Sequence, residues 1–261
     1  MYLDAFERLE LKGHLGRALE GGELSLHYQP LVSLRSGSIT GFEALLRWDH
    51  PERGGVSPAS FIPIAEEIGL IVPIGSWVLH EALGQLARWR ARTRRNLTMS
   101  INVSPRQLEE DGIVEEVSAA LVEAGVDPGC VTLELTESEV LEEGASRQKL
   151  EELRRLGVNI AADDFGSGFA SYVALQQLPF TTVKIDRSLI DGLGGDEEQG
   201  NFVEAVLHLI HACGLKAVAE GIETAEQAAE LARLGCASGQ GYYFGRPVPA
   251  SRLAEMIREG H

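Results

Sequence analysis

The chain has 261 residues, 44% hydrophobic and 6% aromatic, enough for one large domain that buries about three quarters of its unfolded surface. Its 23 basic residues face 39 acidic ones, a formal charge of −16. That balance argues against a nucleic-acid polymer as partner, because such affinity rests on Lys and Arg against phosphates. A small anionic ligand stays open if metal ions bring the positive charge. Cys130, Cys213 and Cys236 are odd in number, far apart and without histidine at ligand spacing, and read as reduced core thiols of a cytoplasmic protein. No apolar run of ~18 residues and no signal peptide is found, so no membrane insertion is expected.

In chain order, residues 1–20 read as a charged amphipathic helix or linker remnant ahead of a domain spanning 21–261. Strand candidates follow at 24–34, 40–48, 97–104, 131–138, 159–164, 182–188, 216–223 and 238–245. Eight strands interleaved with helical segments predict an α/β fold of the (β/α)₈ TIM-barrel type. Helix starts support the count: Ser57-Pro58 supplies an N-cap with Pro behind it, and Ser104 with Gln107 and Thr224 with Gln227 make capping boxes. The last long helix is expected to stop at Gly235. The stretch 191–201 reads as an exposed acidic loop before the helix "FVEAVLHLIHACG".

Parity within the strands carries the functional inference. Ser100, Asn102 and Ser104 alternate with Met99, Ile101 and Val103; Thr132, Glu134 and Thr136 alternate with Leu133 and Leu135. Glu43 with Arg47, Lys184 with Asp186, and Glu220 with Val218 share parity in the same way. Helices should cover the outside of a barrel, so the polar set must face its interior, and the charged members come late in their strands, where barrels open onto their active face. The predicted cluster is Glu43, Asn102, Glu134, Asp163, Asp164, Lys184, Asp186, Glu220 and Gln240. Adjacent strand residues point to opposite faces, so Asp163 and Asp164 can serve one site only if the strand stops between them and turns, as Gly166 and Gly168 permit. Their mutual repulsion asks for a cation. Carboxylates and an amide oxygen without Cys or His suit Mg²⁺ or Mn²⁺, and Asp163 could bridge two ions ~3.5–4 Å apart, the spacing that clamps phosphate-ester oxygens. Lys184 adds a charge for the nucleophile or for phosphorus, and Arg47 could hold a phosphate oxygen.

The motifs "EALLRW" from Glu43, "INVS" around Asn102, "ELTES" from Glu134, "DDFGSG" from Asp163, "KIDRS" from Lys184, "AEGIE" from Ala219 and "QGYYFGRP" from Gln240, with "HYQP" and "FIPIAEE", resemble the EAL-domain phosphodiesterases. The resemblance runs in order over nearly the whole chain. It implies hydrolysis of cyclic di-GMP to linear pGpG through a water activated by two Mg²⁺ or Mn²⁺ ions, on a modified TIM barrel whose first strand is antiparallel to the rest. It implies one metal on Glu43, Asn102, Glu134 and Asp163 and a second shared by Asp163 and Asp164. Glu220 would hold water at the second metal or act as general base, with Lys184 orienting the nucleophile. It also implies loop support from Glu137, supporting positions at Asp186, Glu223 and Gln240, and ligand-pocket positions at Gln29, Arg47 and Pro247. A homodimer and an upstream sensory or cyclase domain, joined through the N-terminal helix, are implied as partners. Two departures stand out: Ser167 replaces the usual Thr and keeps the hydroxyl, and Ala237 replaces a common Asp, which bears on contacts near Gln240.

Two other function classes fit parts of the pattern. A cyclic di-GMP receptor would bind without cutting. A glycosidase would use Glu134 and Glu220 as acid and nucleophile, but leaves the Asp pair and Lys184 unexplained and places Trp77 and Trp89 in helices rather than at a sugar-stacking mouth.

Overall fold

The computed structural model describes residues 5–136, 144–167, 172–195 and 197–253. Eight strands close a barrel in the order β1 (Leu24–Ser33), β2 (Ile39–His50), β4 (Thr98–Asn102), β5 (Val131–Thr136), β6 (Asn159–Phe165), β7 (Thr182–Ile185), β8 (Lys216–Ala219) and β9 (Ser238–Gly239), which returns to β1. Strand β1 runs antiparallel to both neighbours, while the pairings from β2 round to β9 are parallel. Two short strands, β3 (Gly54–Val56) on β2 and β10 (Val248–Pro249) on β1, extend the sheet. At two or three residues they are too short for alternation to betray them.

The helices are α1 (Ala5–Ala18), α2 (Pro58–Glu67), α3 (Ile71–Thr93), α4 (Pro105–Glu109), α5 (Ile113–Ala124), α6 (Gly144–Leu156), α7 (Tyr172–Gln177), α8 (Arg187–Ile190), α9 (Glu197–Ala212) and α10 (Ala225–Arg233). Both predicted capping boxes form: the Ser104 and Thr224 hydroxyls accept backbone N–H groups while Gln107 and Gln227 return the bond. Ser57 starts α2 in extended conformation, but its hydroxyl caps nothing. Helix α10 ends at Arg233 and Gly235 adopts a φ of 89°. In α1 the spacing of Leu11, Leu15 and Ala18 puts one face into the core.

Three strands end three or more residues earlier than the sequence suggests. Asp186 turns its carboxylate onto the Ser188 N–H at 2.9 Å and starts α8, which ends β7 early. Gly221, with a φ of 67°, bends the chain after β8. The last predicted strand keeps only Ser238 and Gly239 before a turn through Tyr242–Phe244. The stretch 191–201 is not loop throughout, because α9 begins at Glu197; Glu197 and Glu198 occupy its first turn, where negative charge complements the helix dipole.

The outward strand residues Met99, Ile101, Leu133, Leu135, Ile160, Val183 and Ile185 are buried under the helices. Trp89 of α3 packs on Tyr28 and Phe42, and Trp48 meets Phe61 edge-on. Cys236 is a core thiol, whereas Cys130 and Cys213 are only partly buried. Among the described residues no helix is long and apolar enough to cross a membrane.

Candidate active site

The site grows from the C-terminal ends of the parallel strands. Asn102 is the last residue of β4, Lys184 the penultimate of β7, and Glu220 and Gln240 follow β8 and β9 directly. Asp163 and Asp164 reach it by a route that strand parity does not foresee. Strand β6 continues through both, but its register against β7 shifts between Ala162 and Phe165, and Asp164 takes a φ of 55°. The bulge and the left-handed residue turn two neighbouring carboxylates to one side without ending the strand. Gly166 follows with a φ of 100°, and a Cβ there would strike Leu189. Ser167 donates its hydroxyl to the Asp164 carbonyl at 2.9 Å.

At the centre lies Lys184. Its ammonium is 2.7 Å from Glu134, 2.8 Å from Glu220, 3.0 Å from Asp163 and 3.7 Å from Glu43. Gln240 donates from its single amide nitrogen to Glu43 and Glu220, each at 2.7 Å, and Asn102 donates to the other Glu43 oxygen at 2.8 Å. Burial opposes ionisation of Glu43, yet Lys184 and these amide donors hold its carboxyl below the usual range. Burial, reinforced by the neighbouring carboxylates, pushes Glu134 well above that range and Glu220 up to about 8. Asp164 is raised by burial and by the charges of Asp163 and Asp186. Burial would lower Lys184, but the surrounding carboxylates raise it well above a free lysine. Crowding and desolvation thus act against each other here: Lys184 and the amide donors favour the charged form of Glu43, while burial favours the neutral form of Glu134 and Glu220.

A 230 Å³ pocket adjoins this cluster, lined by Gln29, Asp186, Arg187, Glu220, Gln240 and Tyr242 among others. Gln29 donates to the Gly245 carbonyl at 3.2 Å. Arg47 is half-buried and donates to the Leu46 carbonyl. Pro247 is partly buried just ahead of β10. Glu223 pairs with Arg187 at 2.7 Å. Glu137 lies outside the described residues. Ala237 is exposed just before β9, yet Gln240 keeps both carboxylate bonds. Sequence reasoning did not single out Arg187 or the exposed pair Tyr242 and Tyr243, nor Arg246, whose guanidinium stacks 4.0 Å above the Tyr242 ring. Two adjacent tyrosines in a chain only 6% aromatic were the available signal.

Oxygens of Asp163, Asp164 and Glu220 lie within 4.8 Å of one another. An all-oxygen set of this kind fits a hard divalent cation. The glycosidase reading fails on geometry: Glu134 is 2% exposed and bonded to the same ammonium as Glu220, so the two cannot flank a sugar.

The family described as "EAL domain" matches residues 13–247. The chain is 43% identical over 258 residues to MucR of Pseudomonas aeruginosa, a bifunctional diguanylate cyclase/cyclic di-GMP phosphodiesterase, covering 98% of this chain and 38% of MucR. It is 39% identical to the cyclic di-GMP phosphodiesterase PA2567 of the same organism, covering 91% of this chain and 41% of that one. The solved MucR phosphodiesterase in complex with cyclic di-GMP superposes with a TM-score of 0.87 at 43% identity, covering 94% of this chain and 99% of that one. The chain thus spans about two fifths of these curated relatives, and over that span the strand-end carboxylates, the closed barrel with one reversed strand and the sequence match agree: it belongs to the EAL domain family.

Proposed function

We propose that this chain is a metal-dependent phosphodiesterase that hydrolyses cyclic di-GMP to the linear dinucleotide pGpG. The observation that carries the reading is the convergence of Asp163, Asp164 and Glu220 oxygens beside Lys184 at the open end of the barrel, in a chain 39–43% identical to proteins named for that activity. Glu43, Asn102, Glu134 and Asp163 would hold one Mg²⁺ or Mn²⁺ ion; Asp163 and Asp164 would hold a second, with Glu220 beside it. When bound, such a pair lowers the pKa of water and neutralises phosphate charge. The chain's own residues supply the rest. Gln240 and Asn102 fix the Glu43 carboxylate, Lys184 keeps a positive charge among the acids, and Glu220 stands where it can take a proton from attacking water. Arg47 would hold a phosphate oxygen, Gln29, Asp186 and Pro247 would belong to the ligand pocket, and Glu137 and Glu223 would support the adjoining loops. A homodimer and an upstream sensory or cyclase domain belong to the same proposal, as does a cytoplasmic setting.

The test is product analysis. With cyclic di-GMP and Mg²⁺ or Mn²⁺ the chain should yield pGpG, resolved by ion-exchange chromatography, and chelator or Glu43→Gln should lower the rate by about 10²-fold or more. Tight binding with no product at any metal concentration would make the chain a receptor instead.

A further inference from the structure

TIM-barrel interiors are ordinarily filled by layers of Val, Ile and Leu from alternate strands. Here the inward positions carry Thr98, Ser100, Thr132, Thr182 and Ser238, and these small side chains leave a cavity of about 360 Å³ inside the barrel. Its outer end is ringed by strand starts, since Thr98 opens β4, Asn159 β6, Thr182 β7 and Lys216 β8. The mouth is therefore on the face opposite the carboxylate cluster. Its inner end is formed by Glu134, Lys184 and Gln240. These are 2%, 3% and 6% exposed, and their bonds to one another and to Glu43 close the bore from the nucleotide side.

The wall mixes hydroxyl groups with Leu31, Leu215 and Val218; Thr40 and Thr98 donate to the Leu31 and Thr40 carbonyls, and the deeper hydroxyls are unsatisfied by protein. Among the described residues the hydroxyls of Ser100, Thr132 and Thr182 bond no protein group, yet no buried side-chain oxygen lacks a partner; they face the open bore. A polar cavity of this size has room for on the order of ten waters. Lys216 is exposed at the mouth, but inside it the charges at the floor are engaged with each other, so the inner wall offers O–H groups that donate and accept without a free charge. An anion entering would give up its hydration with no free cation inside to replace it.

We infer that the bore is a second binding site, entered from the N-terminal face, which takes small neutral hydroxyl-bearing molecules and holds them beneath Lys184 and Glu134. An occupant replaces water against the underside of the layer that positions Glu43 and Glu220, and so reaches the catalytic face without entering it. This site does not depend on which nucleotide the other face takes.

Thiol labelling tests it without any turnover measurement. Cysteine is placed at Ser100, Thr132 or, at the mouth, Thr182 (S100C, T132C, T182C), with thermal melting to show that each variant folds. Hydroxyethyl methanethiosulfonate, a small neutral alcohol, should modify all three far faster than buried Cys236. It should also outpace the sulfonatoethyl analogue by about tenfold at Ser100→Cys and Thr132→Cys, as the cost of burying an unpaired charge requires, each rate normalised to the unfolded chain. Glycerol should slow the reaction. Labelling no faster than Cys236 at every folded variant, equal rates for both reagents, or indifference to glycerol would each overturn the assignment.

Discussion

Lys184 has four carboxylates within 3.7 Å, and removing its charge leaves them repelling one another in a desolvated place. Lys184→Met should destabilise the metal-free chain by about 3–5 kcal/mol, read from urea unfolding in EDTA. Divalent metal should restore more stability to this variant than it adds to the parent. An unchanged midpoint would mean that the ammonium does not hold the acids together. Glu220, lifted to about 8 mainly by burial, sets the pH behaviour. The unfolded carboxyl ionises near about 4.3, so between that pH and about 8 the folded chain keeps a proton that the unfolded one has lost. Stability without metal should therefore fall as pH rises through this window. Metal competes with the same proton, so Mg²⁺ affinity should rise with pH up to about 8 and binding should release protons, visible as a buffer-dependent heat in calorimetry. Asp163 and Asp164 show what one sequence hides at this scale. Their types and neighbouring glycines were legible; that the strand would bulge rather than stop was not, because the shift arises from pairing with β7.

Turns and caps decide how the elements deliver these residues. Gln240 is fixed by the segment around Gly241, whose missing Cβ lets the chain lie directly against the backbone of Ile222. Ile222 donates to the Gln240 carbonyl at 3.1 Å and accepts from Tyr243 at 3.0 Å. Gly241→Ala should cost about 2–3 kcal/mol by overpacking, lowering the urea midpoint, and should reduce activity beyond the folded fraction because Gln240 moves with it. A midpoint within error of the parent would show that the loop relaxes freely. The capping boxes at Ser104 and Thr224 were readable because a cap is local chemistry. The ends of β7, β8 and β9 were not, since apolar residues continue past the point where Asp186 or Gly221 redirects the chain.

Over the whole molecule, the alternation of polar and apolar strand residues disclosed which face lines the barrel, and the late placement of charge disclosed which end is active. The void below the carboxylates was not legible in the same way: Ser100, Thr132 and Thr182 declare a polar interior, but only closure of the ring shows that they fail to fill it. Closure also ties distant segments together, because β1 bonds to both β2 and β9. Unfolding should accordingly be a single transition, with far- and near-ultraviolet circular dichroism coincident in urea; separated curves would reveal an independently melting section.

Strand reversal has a consequence for tethering. In a barrel of uniformly parallel strands the chain enters from the face away from the catalytic rim. Here Leu24 pairs with Trp48 and Val32 with Ile39, so β1 begins at the rim and descends. Helix α1 precedes that start, and it is pinned beside the rim segments by Lys12 against Glu67 and His14 against His50. A pull or twist applied upstream of α1 is thus delivered to the working edge of the barrel through one short lever, without crossing the thickness of the domain.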